Sequence, residues 1–149
     1  MPVEELPSRP PVLLNLPVFA LSRLGNVLRG AVKDAFEKEA LSWREHLVLL
    51  CVKEYAELSQ RELAGLMSMD ASDLVKVLDG MERAGRLRRR PAPNDRRRHL
   101  LSITADGDEV LQRGRRILDR ATARSLAPLN SDERRNLHQL VLRALDSKN

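Results

Sequence analysis

Hydrophobic residues recur every three or four positions along most of this chain, and this spacing predicts a mainly α-helical fold. Four prolines within residues 1–14 disfavour a helix there, so that segment is predicted to be an extended arm. Asn15 is followed two positions later by Pro17, and proline is tolerated in the first turn of a helix. The first helix is therefore predicted to begin at Asn15. Its apolar face comprises Leu21, Leu24, Leu28, Ala31 and Ala35.

The second predicted helix is hydrophobic on nearly every side. Ser42 and Glu45 have the spacing of a capping box, in which a hydroxyl and a carboxylate bond the free amides at a helix start. Residues 47–52, which follow, are all apolar. Because a helix that is apolar all round packs in the interior, this helix is predicted to be central and buried.

Two short helices separated by a brief turn are predicted next. Ser59 and Glu62 form a second capping box that begins the first of them. Asp70 is a favourable N-cap for the second helix, and Gly85 ends it. The residues predicted to face inward are Leu63, Leu66 and Met67 in the first helix and Leu74, Val77, Leu78 and Met81 in the second. Two short helices joined this closely form a helix-turn-helix.

After Gly85 the hydrophobic spacing changes from helical to alternating. The change predicts a two-stranded hairpin with its tip at residues 91–98. Thr104 then caps a long helix that is predicted to reach about Ala127, and Asn130 with Glu133 caps a last helix. The apolar seams are Val110, Leu111, Ile117, Leu118 and Ala121 in the former, and Leu137, Leu140, Val141, Ala144 and Leu145 in the latter. The predicted fold class is mainly α with a small β-hairpin: a winged helix-turn-helix plus a helical region for dimerisation.

Composition narrows the function classes. Apolar residues make up 42% of the 149 residues, enough for a core. The longest apolar run is far shorter than the roughly 20 residues of a membrane helix, so no membrane partner is expected. A single cysteine and the lack of a secretory leader favour a cytoplasmic location. No glycine-rich phosphate loop, Ser-His-Asp order or separate carboxylate pair is found, which argues against an enzyme and against a cofactor.

Charge is concentrated in one segment. Residues 83–98 contain eight arginines and one acid, giving +7, while the rest of the chain carries −2 of the total +5. A basic patch on a nearly neutral body is typical of a protein that binds a polyanion. Arginine also suits forked contacts to phosphates and bases better than lysine does. Aromatic residues make up only 3%, too few to form stacking platforms for unpaired bases, so duplex DNA is favoured over single strands.

A helix-turn-helix followed directly by an arginine-rich hairpin is a winged helix. Its second helix can enter the major groove, and the hairpin can lie over the neighbouring minor groove. The candidate DNA-binding residues are Arg61, Ser72, Asp73, Lys76, Arg89, Asp95, Arg96, Arg97 and Arg98. Arg88 is predicted to lie on the first strand and to contribute mainly long-range charge.

The stretch from Leu58 to Gly107 resembles the core of the multiple-antibiotic-resistance regulator (MarR) family. The resemblance runs without gaps from the first short helix, through the Asp95-Arg96-Arg97 wing, to the Ile103-Thr104-Ala105-Asp106-Gly107 helix entry. It covers about a third of the chain closely. The wing at this distance from the helix pair is its most specific part.

The resemblance implies a homodimer in which the first, fifth and sixth helices of both subunits interlock. It also implies a pocket for a small ligand between the dimer region and the DNA-reading lobe, with no residues assigned to it. In the family the wing aspartate orients an arginine in the minor groove, which here implies Asp95 and Arg97. The implied organisation is one domain at 15–149, with dimerisation helices at 15–56 and 105–149 and a DNA-binding lobe at 57–104.

Two residues depart from the family pattern. Asp73 stands where Thr or Ser is frequent, and it either accepts from cytosine N4 or completes the helix cap with Asp70. Gly80 stands where Arg is common, and a helix-interior glycine costs about 1 kcal/mol relative to alanine.

Cysteine and histidine offer weaker candidate sites. Cys51 is either a redox sensor or small filler in the apolar helix, and filler is the favoured interpretation. The three histidines lie in different predicted elements, which disfavours a zinc site. His99, next to Arg98, is expected to join the phosphate contacts.

The predicted function is a sequence-specific double-stranded DNA-binding transcriptional regulator: a ligand-responsive repressor that acts as a homodimer on a pseudo-palindromic operator. The expected partners are the DNA, a second copy of the chain and a small-molecule effector. The alternative is a winged-helix module that binds DNA or a protein without an effector.

Overall fold

The computed structural model describes residues 10–146. Its elements in chain order are α1 (Pro11–Leu14), α2 (Pro17–Lys38), α3 (Trp43–Glu54), α4 (Gln60–Leu66), α5 (Ala71–Arg83), β1 (Leu87–Ala92), β2 (Asp95–Ile103), α6 (Ala105–Ser125) and α7 (Ser131–Asp146). The mainly helical fold with one hairpin is confirmed. No helix in this part of the chain is long and apolar enough to cross a membrane.

The predicted extended arm is wrong at its end. Pro11–Leu14 form a helical turn, Pro10 is extended as predicted, and residues 1–9 lie outside the described part. Proline opposes a helix interior, but at the first helical position its missing N–H costs nothing. Pro11 occupies that position, so a proline-rich segment here begins a short helix.

The chain divides into two compact units, one of residues 10–32 and 119–146 and the other Lys33–Leu118. Residues 33–56 and 105–118, predicted to belong with the dimerisation helices, lie instead in the same unit as the winged helix-turn-helix. The reason is packing, because Leu49 of α3 and Leu111 of α6 share one hydrophobic cluster with the inner faces of α4 and α5.

The core of the Lys33–Leu118 unit follows the predicted pattern. Leu74, Leu78 and Met81 of α5 are completely buried, as is Leu63 of α4. Leu66 is a correction, because it was predicted to face inward and is 53% exposed. Since α4 has only seven residues, one buried leucine and the half-buried Met67 suffice to attach it.

Most predicted caps are confirmed. Ser59, Asp70, Thr104 and Asn130 each accept a hydrogen bond from a backbone amide in the first turn of the helix that follows. Only half of the Ser42 capping box forms. The Ser42 hydroxyl accepts from the Glu45 amide at 3.3 Å, whereas the Glu45 carboxylate accepts from Arg86 at 2.5 Å.

The turn between α4 and α5 is tight. Ser68 adopts φ +48°, and the amides of Ser68 and Met69 bond back to the carbonyls of Gly65 and Ala64. This is a Schellman motif, which closes a helix by a left-handed residue. The same motif closes α5, with Gly85 at φ +71° and the Arg86 amide bonded to the Met81 carbonyl. Backbone geometry thus fixes the turn between the two helices and the end of the second helix.

The other unit has little interior of its own. Within residues 10–32 and 119–146, the buried hydrophobic residues are Val32 and Ala121, and α7 buries no residue. Its exposed large hydrophobic residues are Val12, Leu13, Leu16, Val18, Leu21, Val27, Leu140, Val141, Leu142 and Leu145. The apolar face predicted for the last helix is therefore largely uncovered in the single chain, whereas in the face predicted for the first helix only Leu21 is exposed and the other four residues are half-buried.

Candidate nucleic-acid interface

The outer face of α5 holds the candidates of the recognition helix. Ser72, Asp73 and Lys76 are exposed, as predicted. The Ser72 amide and hydroxyl both donate to the Asp70 carboxylate, which lowers the pKa of Asp70. Asp70 is therefore the capping side chain. Asp73 lies in the first turn, where a carboxylate interacts favourably with the helix dipole, and it pairs with Lys76 at 3.1 Å. A contact between Asp73 and cytosine stays a prediction.

The wing is a hairpin with a short turn and a large irregularity. The turn is Pro93-Asn94, and Ala92 pairs with Asp95 directly beside it. The next pair along the ladder is Pro91 with His99. Residues 96–98 of β2 therefore have no partners on β1. The predicted tip at 91–98 is shorter than expected, because most of these residues belong to the strands.

The three consecutive arginines, Arg96, Arg97 and Arg98, occupy this bulge. Extra residues in one strand bend it and redirect its side chains. The strand ladder alone therefore does not fix the directions of these three side chains, and other contacts must do so.

Asp95 makes one of these contacts. Its carboxylate accepts from the backbone amide of Arg97 at 2.9 Å. The resemblance implies that Asp95 orients Arg97 in the minor groove; here the observed contact is with the Arg97 backbone amide, and the orienting role on DNA stays a prediction. A carboxylate bonding the amide two residues later closes an Asx turn. Asp95 accordingly shapes the backbone of the bulge, while the Arg97 side chain is exposed.

Arg89 connects the wing to α5. Its guanidinium donates to Asp79 at 2.5 Å and to Glu82 at 2.7 and 2.9 Å, and its side chain is only 21% exposed. These hydrogen bonds lower the pKa of Glu82 and raise that of Arg89. The charge of Arg89 is thus balanced within the protein. A contact between Arg89 and DNA stays a prediction.

Arg98 connects the other strand to α4. One guanidinium nitrogen of Arg98 lies 3.0 Å from both carboxylate oxygens of Glu62. Hydrogen bonds from the Ser59 hydroxyl and amide, and then from Arg98, lower the pKa of Glu62 to about 2. The carboxylate of the predicted capping box therefore also binds the wing.

The remaining candidates are free of acidic partners in the described part of the chain. Arg96 and Arg97 on the wing and Arg61 in the first turn of α4 are exposed. Arg88 and Arg90 of β1 are also exposed. Together with Arg83, which is also exposed, these five arginines supply positive charge that is available to an external anion.

His99 lies beside this surface, where it lines a cleft between the helix pair and the wing. The cleft is lined by Gln60, Val75, Glu82, Arg89, Pro91 and His99. His99 is exposed, and its predicted contact with phosphate stays a prediction.

Sequence reasoning missed the acidic half of this site. Glu62 was recognised only as a cap, and Glu82 was not a candidate. Acids at Asp79 and Glu82 share one side of α5, which is a signal of a basic partner but does not identify it. The partner follows only once the hairpin is placed against the helix.

The other candidate chemistries gain no geometric support. Burial raises the pKa of the half-buried Cys51 thiol, which disfavours the reactive thiolate. Within residues 10–146, no cluster of three His, Cys, Asp or Glu side chains is placed to hold a metal ion.

A helix-turn-helix followed by an arginine-rich wing, which Arg89 joins to the second helix, defines the class of winged-helix DNA-binding proteins. Residues 41–99 match the model of the MarR family. CouR from Rhodococcus jostii RHA1, whose crystal structure was solved with bound p-coumaroyl-CoA, is 30% identical in sequence to this chain, and its structure is similar with a TM-score of 0.70. The match covers 89% of this chain and 93% of CouR. The chain therefore belongs to the MarR family of transcriptional regulators.

Two further comparisons agree. The Mycobacterium tuberculosis MarR family protein Rv2887, solved in complex with DNA, is 27% identical with a TM-score of 0.76, and the match covers 87% of this chain and 97% of that one. A putative transcriptional regulatory protein for the hcr operon of Thauera aromatica is 37% identical over 86 residues. That match covers 58% of this chain and about half, 52%, of the relative.

Proposed function

We propose that this protein is a transcriptional repressor that binds a specific double-stranded DNA site as a homodimer and is released by a small molecule. The observation that carries the proposal is the group of exposed wing arginines that have no acidic partner among residues 10–146, on a hairpin that Arg89 joins to α5. Each arginine that neutralises a phosphate releases counterions, so this surface supplies affinity for DNA. The side chains of α5 supply contacts to base edges in the major groove.

Duplex DNA fits this surface better than single-stranded nucleic acid. Phe36 is buried and Trp43 half-buried, and the two rings pack together at 5.3 Å between centroids. Neither ring is therefore free to stack on an unpaired base, which is how single strands are usually bound.

The homodimer is inferred from the large apolar side chains that are exposed on α2 and α7. An exposed apolar surface of this extent marks an association site. A second copy is the simplest partner, since a two-fold dimer would present two recognition helices to a pseudo-palindromic site. Half-sites about 10 base pairs apart, one turn of the duplex, are expected.

The proposed small-molecule effector and DNA partner are inferred from the relatives of this chain. CouR was solved with p-coumaroyl-CoA and Rv2887 with DNA. We extend both binding properties to this chain in general form, as one duplex and one small organic ligand. The role is regulatory rather than enzymatic, and the setting is the cytoplasm, where the DNA is.

Selection of bound fragments from a random duplex library tests the proposal. Enrichment of one pseudo-palindromic sequence is expected, with a footprint covering both half-sites. Enrichment of single asymmetric half-sites, or of no sequence, would contradict it.

The effector is tested on the same DNA complex. A set of small aromatic acids and their CoA thioesters is screened for a rise in melting temperature of the protein, since a ligand that binds only the folded state stabilises it. The compounds that raise it are expected to weaken binding to the selected duplex. A protein that binds the duplex but responds to no compound would favour the alternative, a winged-helix module without an effector.

A further inference from the structure

We propose that Glu62 is a positioning residue for DNA binding: through Arg98 it holds the arginine bulge of the wing at the start of α4. The inference rests on the proposed function, because it concerns how the same surface is set for a duplex. Glu62 itself is not expected to touch DNA.

The contacts of Glu62 join two parts of the interface. One carboxylate oxygen accepts from the Ser59 amide at 2.8 Å and from the Ser59 hydroxyl at 2.5 Å, at the first turn of α4. Both oxygens accept from Arg98 at 3.0 Å, on the wing. One side chain therefore fixes the helix start and grips the wing at the same time.

The backbone brings the two parts together at the same place. The Leu101 amide of β2 donates to the Leu58 carbonyl at 2.9 Å, and Ser59 forms an isolated bridge with Leu100. This junction holds β2 only from residue 100 onward. Residues 96–98, immediately before it, have no partners on β1. The side-chain pair from Arg98 to Glu62 extends the junction into the bulge that carries Arg96 and Arg97.

Simple charge and positioning predict opposite effects of losing the Glu62 carboxylate. An acid at the edge of a DNA-binding surface repels phosphate, and it also neutralises Arg98. On charge alone, removing it strengthens binding to any duplex. If Glu62 instead holds the wing in register with the helix, removing its charge weakens binding to the specific site and leaves non-specific binding equal or stronger.

The variant Glu62→Gln separates these effects without removing the cap. Glutamine also serves at this position of a capping box, since its amide oxygen accepts from the Ser59 amide. It lacks the charge that pairs with Arg98. Arg98→Gln breaks the same pair from the wing and leaves the cap intact. Arg88→Gln is the matched control, because it removes the same charge from an exposed wing arginine that has no acidic partner among the described residues.

The experiment measures fluorescence anisotropy with two duplexes of equal length, one selected by the wild-type protein and one scrambled. Glu62→Gln is expected to weaken binding to the selected duplex by about two- to fivefold, the factor that corresponds to an exposed ion pair, without weakening binding to the scrambled one. In the double variant Glu62→Gln/Arg98→Gln, the second change should cost less on the selected duplex than it costs alone. Arg88→Gln should weaken binding to both duplexes alike and add to Glu62→Gln.

The proposal is overturned if Glu62→Gln strengthens binding to both duplexes equally, or if the effects of Glu62→Gln and Arg98→Gln simply add. If Glu62→Gln does not fold, Arg98→Gln against Arg88→Gln decides. A greater loss of the selected-to-scrambled affinity ratio for Arg98→Gln supports the proposal, and equal losses overturn it. Failure of the wild-type protein to prefer any duplex would instead contradict the proposed function, so the two failures are distinguishable.

Discussion

Single arginines of the basic segment have different roles in spite of their similar positions in the sequence. Arg86, Arg89 and Arg98 are engaged by the carboxylates of α3, α5 and α4, respectively. Among the described residues Arg97 is held through its backbone amide alone, which leaves its guanidinium available to bind. Local net charge therefore overstates how much of the segment is available to DNA.

Arg97→Ala is expected to weaken DNA binding far more than Arg88→Ala. Loss of a specific groove contact costs about 1–3 kcal/mol. Loss of long-range charge at Arg88 should weaken binding modestly and reduce the salt slope by about one unit. Fluorescence anisotropy at two salt concentrations measures both.

Asp95→Ala sharpens that test, since it removes a negative charge from the wing. Charge alone predicts tighter binding. Loss of the Asx turn that sets the Arg97 backbone predicts weaker binding, which is the expected result. Equal behaviour of Arg97→Ala and Arg88→Ala, together with tighter binding by Asp95→Ala, would show that the wing is only a charged surface.

His46 makes stability depend on pH. Its ring is 2% exposed, packs on Phe36 and Trp43, and has no hydrogen-bond partner on either nitrogen within the described residues. Burial, and then the charge of Arg115, lower the pKa of His46 from its ordinary 6.5. The unfolded chain therefore binds a proton more readily than the folded one.

The contribution of His46 to stability is complete above pH 6.5 and is lost as pH falls below that value toward the pKa of the folded state. Urea unfolding between pH 7.5 and 5 is expected to show a decline, with a slope of up to about 1.4 kcal/mol per pH unit from this group. His46→Leu should flatten the decline. Equal slopes in both proteins would contradict a buried neutral histidine.

At the scale of whole elements, the entry into α6 depends on close packing against the start of the wing. The Thr104 hydroxyl donates to the Gly85 carbonyl at 2.6 Å and accepts from the Gly107 amide at 3.0 Å. A Cβ on Gly107 would lie 2.0 Å from the Arg86 carbonyl oxygen. Glycine is required here because another backbone approaches too closely for a side chain.

Gly107→Ala is therefore expected to destabilise the protein by about 1–3 kcal/mol, the usual cost of an overpacked site. Gly80→Ala is the matched control, since a Cβ on Gly80 would meet no atom within 4 Å among the described residues outside its own helix backbone and chain neighbours. Alanine there should stabilise α5 by up to about 1 kcal/mol through helix propensity. Chemical denaturation of both variants measures the difference, and similar free energies of unfolding would contradict the packing argument.

At the scale of the whole molecule, the apolar residues exposed on α2 and α7 are expected to form the proposed dimer interface. Leu145→Glu is expected to convert a dimer into a monomer near 17 kDa, because it would bury a charge in an apolar interface. Sedimentation at micromolar concentration measures the mass.

Leu66→Glu is the control for this substitution. Leu66 on α4 is 53% exposed and Leu145 on α7 is 59% exposed, so the two changes are similar in kind. Leu66→Glu should leave the mass unchanged. A wild-type monomer, or dissociation by both variants alike, would count against dimerisation through α2 and α7.

The sequence by itself determined the features that depend on nearby residues. Caps such as Ser59 with Glu62 act over three positions, and the stripe on α5 follows from helical periodicity. The helix-turn-helix, the wing and its charge were accordingly predictable. The exceptions were also local: Pro11 begins a helix where proline predicted none, and Leu66 is exposed on a helix too short to bury it.

Only the tertiary structure decided which charges remain available. Arg98 lies 36 positions from Glu62, and Arg86 lies 41 from Glu45. Composition and charge pattern do not distinguish one arginine of the segment from another. Which of them forms an ion pair depends on the distances between side chains after folding. The helices and the wing were encoded by local spacing, whereas the division of the arginines into those paired with carboxylates and those left exposed followed from the packing of the hairpin against α4 and α5.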